Sequence, residues 1–164
     1  MSPTEILDIV DEQDVVIGQA TRADIHARGL LHRAVHVFVF NSAGRLLVQL
    51  RTAEKDEFPL CYTSSASGHI DSGEDYETAA VREMEEELGL TSPIEFLTKL
   101  PAGPSTANEH SALFRTVTDA EPVFDAVEII SGEYLRLEEI MADIVADPER
   151  YTPPFRELLA WYQQ

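Results

Sequence analysis

The stretch Gly68–Leu90, GHIDSGEDYETAAVREMEEELGL, constrains the fold more than any other part of the chain. It starts as a glycine-punctuated loop and predicts a helix from about Asp75 to Leu88, with Gly89 placed to end it in the left-handed conformation. Val81, Met84 and Leu88 recur at i, i+3 and i+7, which predicts an apolar stripe for packing on a core. Glu83, Glu85, Glu86 and Glu87 crowd into the same helix, where like charges at i,i+4 cost roughly 0.2–0.5 kcal/mol per pair. At about 100° per residue, Glu86 and Glu87 fall within about 60° of Glu83, whereas Glu85 points away. Three carboxylates converging on one face repel unless they are protonated or bridged by a cation. An oxygen-only ligand set suits a hard ion, Mg²⁺ or Mn²⁺, and not zinc. The competing reading of E-x-x-E-E alone is a solvated acidic face.

The surrounding pattern predicts one α/β domain over residues 1–164, with a mixed sheet flanked by helices and an N-terminal β-hairpin at about residues 1–20. EILDIV and DVVIGQA are β-like runs separated by polar DEQD. TRADIHARG predicts a short helix, with Thr21 as N-cap and Gly29 past its end. In HRAVHVFVF, Val35, Val37 and Val39 alternate with His36, Phe38 and Phe40; NSAG then turns the chain into RLLVQLR, and both runs suit central strands. Pro59 is expected to hold Phe58 extended. IEFLTKL and HSALFRTVT are further strand candidates around the loop PAGPSTANE. FDAVEIISGEYLRL predicts one or two strands around Ser131–Gly132, and LEEIMADIVA and PPFRELLAWYQQ predict helices.

The formal net charge is −18. Phosphate backbones and anionic lipids are poor partners for such a chain, so neither nucleic acid nor a membrane surface is expected. An anionic small substrate needs a local offset, most simply a bound divalent cation. Cys61 is the one cysteine, which excludes an intramolecular disulfide and a cysteine zinc cage and points to a reducing, cytoplasmic location. The first residues lack the basic and apolar regions of a signal peptide.

The spacing from Gly68 through Glu74 and Arg82 to Leu90 is G-x5-E-x7-R-E-U-x-E-E-x-G-U, with U a bulky aliphatic residue and no position missing. This resembles the signature of the Nudix hydrolase family. The resemblance implies an α/β/α sandwich and a loop–helix–loop that holds divalent metal while water attacks a diphosphate. It implies that Glu83, Glu86 and Glu87 ligate Mg²⁺ or Mn²⁺, joined by the Gly68 carbonyl. Glu74 and Arg82 would brace the loop against the helix, and Gly89 would close the motif. The general base stays open among Glu86, Glu87 and Glu109, with Glu128 and Glu133 behind. Arg51 and Lys55 are candidates for phosphate contacts, and His69 for substrate or metal. The resemblance also implies a small-molecule diphosphate substrate, and it makes a homodimer an expectation to test. Phe38, Phe58, Tyr62 and Phe114 are candidates either for stacking a base or for the core.

The region from Leu30 to Glu74 is also similar to isopentenyl-diphosphate isomerases, through His32, Arg51, Lys55, Pro59, Thr63, Gly68 and His69. That likeness implies a second metal site at His26, His32 and His69, with Glu109 as an acidic ligand. Two departures weigh against the isomerase chemistry. Ser67 stands where the isomerase has a catalytic cysteine, and a hydroxyl is a much weaker acid than a thiol. Ala107 stands where a further acidic ligand is expected. Hydrolysis is therefore the leading expectation, with isomerase-like activity and a catalytically silent ligand-binding domain as alternatives.

Overall fold

The computed structural model describes residues 3–164. Strands β1 (Ile6–Val10) and β2 (Val16–Thr21) form a two-stranded antiparallel sheet, so the N-terminal hairpin is present; residues 1 and 2 of its expected span lie outside the described residues. Helix α1 (Arg22–Arg28) follows directly. The Thr21 hydroxyl accepts from the Asp24 amide, and Gly29 ends the helix at φ 63°.

The main sheet is built around β3 (His32–Phe40). The hairpin partner β4 (Leu46–Arg51) meets it at Phe40↔Leu46 and then diverges. Into the opening comes β6 (Ala66–His69), antiparallel to β3, after the short β5 (Tyr62–Thr63) has paired with β4. Helix α2 (Tyr76–Leu88) crosses back, and β7 (Glu95–Leu100) leads into β8 (Glu109–Val117). Strand β8 runs parallel to β3 in unbroken register from His32↔Glu109 to Phe40↔Val117. Strand β9 (Ile129–Leu135) pairs with β4, and helices α3 (Leu137–Ala146) and α4 (Pro153–Tyr162) close the chain.

Alternate residues of a strand face opposite sides of its sheet, and β3 buries both sides. Val35, Val37 and Val39 pack with Ala80, Met84 and Leu88 of α2. Phe38 and Phe40 pack with Ile140 of α3 and Phe155, Leu158 and Leu159 of α4. The result is the helix–sheet–helix sandwich expected from the sequence. Phe38 and Phe114 are core residues, at 0% and 3% exposure, and are not placed to stack a ligand. Among the described residues no helix is long and apolar enough to cross a membrane.

Three details differ from expectation, and one open choice, between one strand and two around Ser131–Gly132, is settled. Val81 is 43% exposed; the α2 core face is Ala80, Met84 and Leu88 instead. Ala80 and Leu88 lie within about 40° of Met84 on a helical projection, whereas Val81 lies about 60° away on the side opposite Glu87. Phe58 is not extended but has φ 49°. The Arg51 guanidinium explains this, because its Nε donates to the carbonyls of both Glu57 and Phe58 at 3.2 Å and its Nη2 to Glu57 O at 2.7 Å. Three donated bonds to one short loop outweigh the local preference that Pro59 imposes. Ser131–Gly132 lies inside a single strand, and Gly132 is there because a Cβ would sit 2.4 Å from the Phe124 ring. The loop before β8 is not wholly irregular, since Pro104–Thr106 forms one 3₁₀ turn.

Candidate active site

The loop from Gly68 and the helix α2 meet as the motif predicts. Asp75 caps α2, its carboxylate accepting from the Thr78 amide at 2.7 Å, and Gly89 ends it at φ 64°. Within the helix the three glutamates grade from core to solvent. Relative to Met84 they project at about 60° for Glu87, 100° for Glu83 and 160° for Glu86. Glu87 is accordingly 5% exposed, the Glu83 side chain 14% and the Glu86 side chain 59%. Glu85 faces solvent.

This burial has an electrostatic cost. Burial, and then the neighbouring Glu83 charge, push the Glu87 carboxyl well above its usual range, and burial also raises Glu83. Gln49 of β4 donates to Glu87 Oε1 at 2.8 Å, which orients that carboxylate. Buried carboxylates this close favour any bound cation. Gly68 fits the same reading: a Cβ there would lie 2.4 Å from the Glu83 carboxyl, so only glycine brings its backbone so near.

Arg82 is the brace. Its Nε and Nη2 clasp Glu74 at 2.9 and 2.8 Å, and its Nη1 reaches Glu83 at 2.8 Å and Glu86 at 3.3 Å. The fork pattern fixes orientation as well as charge. The hydrogen bond to Glu74 is the largest reason that the Arg82 pKa is raised, and it holds Glu74 low in turn.

These groups line a cavity of about 330 Å³ together with Arg51, Lys55, His69 and Glu109. Burial, and then the Arg51 charge, bring the Lys55 pKa down to about 8, and its ammonium contacts Glu128. Glu133, in contrast, lies on β9 opposite Val48 and is not among the lining residues. Arg51 reaches the cavity too, but its Nε and Nη2 are engaged with the Glu57–Phe58 carbonyls described above.

Behind the lining, a wall of His26, His32 and His69 brings one ring nitrogen each to within 4.8 Å of one another, and of the three only His69 lines the cavity. His32 Nδ1 donates to Leu30 O at 2.9 Å, and His26 Nδ1 bonds Asp56 Oδ2 at 3.0 Å. Each therefore turns a lone pair on Nε2 inward, and both Nε2 atoms are buried with no hydrogen-bond partner. Burial, and then the Arg22 charge, lower the pKa of His26 and push that of His69 well below its usual value, so both rings are neutral near pH 7. Neutral imidazoles with orphaned, buried nitrogens fit a metal ion. Glu109 belongs to this wall. His36 Nε2 donates to its Oε1 at 3.2 Å, and its Oε2 lies 3.7 Å from His32 Nε2 and 3.9 Å from His69 Nε2.

Three participants escaped sequence reasoning. His36 is a core-parity residue of β3 whose only signal was a histidine amid apolar neighbours. Arg22 opens an amphipathic helix and reads as solvated, yet it is 4% exposed and donates to His69 Nδ1 at 2.5 Å. Glu57 sits in a polar loop that looks ordinary until Arg51 folds it inward.

The NUDIX domain family matches residues 30–162. An uncharacterized Nudix hydrolase of Nostoc sp. is 54% identical over 91 residues, which is 55% of this chain and 54% of that protein, so the match spans about half of each. Longer matches are to isopentenyl-diphosphate Delta-isomerase 2 of Photorhabdus laumondii, 35% identical over 160 residues (94% of this chain, 90% of that protein), and to a prenyl-diphosphate phosphatase of Methanosarcina mazei, 33% identical over 152 residues (90% and 89%). The crystal structure of a Deinococcus radiodurans protein superposes with a TM-score of 0.85 at 33% identity, covering 95% of this chain and 98% of that one. With the family match extending across nearly all of the sandwich and the complete motif folded onto the cavity, the chain belongs to the Nudix hydrolase family.

Proposed function

We propose that the protein is a metal-dependent pyrophosphohydrolase that cleaves the diphosphate linkage of a nucleoside diphosphate derivative or a related compound such as a prenyl diphosphate. The convergence of Gly68, Glu83, Glu86 and Glu87 on a cavity that also holds Arg51 and Lys55 carries this reading. Glu83, Glu86, Glu87 and the Gly68 carbonyl would hold Mg²⁺ or Mn²⁺. Such an ion, when bound, offsets diphosphate charge and acidifies water. Arg82, tied to Glu74, keeps Glu83 and Glu86 aimed at the cavity. Lys55 and Arg51 place positive charge opposite the glutamates, where the substrate phosphates would lie between them, with His69 alongside. Phosphoryl transfer depends mainly on such positioning and electrostatic stabilisation. Glu86, the most solvent-accessible of the three, is our choice to accept the proton from the attacking water.

The test is turnover of a panel of nucleoside di- and triphosphates, nucleotide sugars, dinucleotides and prenyl diphosphates with Mg²⁺ or Mn²⁺. At least one is expected to be hydrolysed, with Glu86→Gln lowering kcat by about 10²–10⁴-fold. No turnover across the panel, or equal turnover in the variant, would overturn the assignment.

The histidine wall favours a second reading, an isomerase-like activity on isopentenyl diphosphate. Against it, Ser67 lines the cavity opposite His36 on the neighbouring strand, where the isomerases place a thiol. Conversion of isopentenyl diphosphate to its allylic isomer without phosphate release would establish that alternative.

A further inference from the structure

We propose that Asp8, on the N-terminal hairpin, is a positioning residue for the glutamate helix: it fixes the turn Asp71–Glu74, and through Glu74 and Arg82 it keeps Glu83 and Glu86 aimed at the cavity. The proposal rests on the reading of those glutamates as a Mg²⁺ or Mn²⁺ site.

The motif loop before α2 is a surface turn. Asp71, Ser72 and Gly73 are all exposed. Within the turn, the Glu74 amide donates to Asp71 O at 2.9 Å, and the Asp71 amide to Glu74 Oε1 at 3.1 Å. Further anchors come from the hairpin, far away in sequence. Asp8 of β1 is 9% exposed. Its Oδ1 accepts from Ser72 Oγ at 2.8 Å and its Oδ2 from the Gly73 amide at 3.3 Å. Gln19, the cross-strand partner of Asp8 on β2, donates to Asp8 Oδ1 at 3.3 Å and to Ser72 Oγ at 2.5 Å. One residue before Asp8, Leu7 forms an antiparallel bridge with Asp71. The hairpin therefore grips three consecutive residues of the motif loop, and the carboxylate at the centre of the grip is buried.

That grip has a route to the cation site. The turn sets where Glu74 stands. Glu74 takes two bonds from Arg82, and the same guanidinium reaches Glu83 and Glu86. Arg82 Nη2 also lies 3.7 Å from Asp71 Oδ2, so it reads the turn at both of its ends. Bonds to ionised acceptors are the stronger kind and fix orientation. Losing Asp8 frees the turn, and the slack passes to the brace. The family match begins at residue 30, so an element outside the matched stretch holds the loop of the motif inside it. Asp14, at the turn of the same hairpin, is engaged differently: its donors are Arg33, Lys99 and the Tyr76 hydroxyl, all outside Asp71–Glu74. The two aspartates therefore separate anchoring of the hairpin from control of the motif loop.

The experiment is a calorimetric titration of the full chain with Mg²⁺, paired with a melting curve for each variant. Asp8→Ala is expected to weaken Mg²⁺ binding by about three- to tenfold, and Asp8→Asn, which keeps one acceptor oxygen, to restore part of that loss. Ser72→Ala alters only an exposed side chain and is expected to weaken binding by a smaller factor. The double variant Asp8→Ala/Ser72→Ala is expected to bind no worse than Asp8→Ala, because both changes remove the same contact. Asp14→Asn is expected to lower Tm while holding Mg²⁺ affinity within about twofold of wild type. Wild-type affinity in Asp8→Ala, or a loss in Asp14→Asn equal to that in Asp8→Ala, would overturn the proposal. Should Asp8→Ala fail to fold, unchanged affinity in Ser72→Ala overturns it instead. Absence of Mg²⁺ binding by wild type would overturn the glutamate site and this proposal with it, so the wild-type titration tells the two failures apart.

Discussion

At the scale of the residue, Gly68 makes the sharpest prediction. A Cβ added there meets the end of the Glu83 side chain and no backbone atom among its nearest neighbours. Glu83 can swing aside cheaply, so Gly68→Ala should fold. Its cost should appear in the cation site, because the displaced carboxylate no longer shares a point with Glu87. We expect Mg²⁺ or Mn²⁺ affinity to fall by about tenfold or more, while Tm changes by only a few degrees. Calorimetry and a melting curve read the two effects separately; unchanged affinity would mean that the close approach serves no metal. Phe58 shows the opposite lesson at this scale. Its neighbour Pro59 argued for extended backbone, but Arg51 is recruited from β4 and overrides it. Local chemistry is readable from adjacent residues only while no distant side chain enters.

At the scale of elements, the hairpin β1–β2 depends on one buried carboxylate at its turn. Asp14 accepts from Arg33 Nε at 2.6 Å, Lys99 Nζ at 2.6 Å and Tyr76 OH at 2.7 Å, tying the turn to β3, β7 and α2. Burial alone would raise this carboxyl, but the bonds from Lys99, Arg33 and Tyr76 prevail and hold it below its ordinary value. A carboxyl depressed in the folded state contributes stability that is complete above its unfolded pKa of about 3.9 and is lost as pH falls through the folded value. Asp14 has φ 64°, which Asn tolerates as well; Asp14→Asn therefore loses only the charge and should cost about 1.5–3 kcal/mol near neutral pH. The gap from wild type should shrink below about pH 4, which denaturant melts at two pH values would show. Elements themselves were largely legible in the sequence, because α2, β3 and the flanking turns carry strong periodicity and caps. The interior face of α2 was legible only in part. Any hydrophobic pattern scores Glu87 as a surface residue, and a buried carboxylate is therefore invisible to it. Arg22, His36 and Glu57 were illegible for a related reason: their roles arise where α1, β3 and a loop converge from distant points of the chain.

At the scale of the whole molecule, a chain of net charge −18 folds buried carboxylates against one another. Anything that binds only the folded state stabilises it by mass action, by about 2.7 kcal/mol at a hundredfold excess over Kd. For a domain of this size that corresponds to roughly 5–11 °C in Tm. Saturating Mg²⁺ should therefore raise Tm by several degrees over the chelated protein, and less in Glu86→Gln. A melting curve indifferent to Mg²⁺ in wild type would count against occupancy of the glutamate helix. The parallel register of β3 and β8 has a different kind of consequence. His32 and Glu109 are the first residues of two strands that stay paired for nine steps, so their separation is set by backbone geometry and not by the segment that precedes β8. Residues 101–108 can then change in length and sequence while His32 and Glu109 keep their register. Such an arrangement divides the labour: one short segment contributes Ala107 to the cavity and is free to vary, while two paired strands hold the histidine and the carboxylate in place.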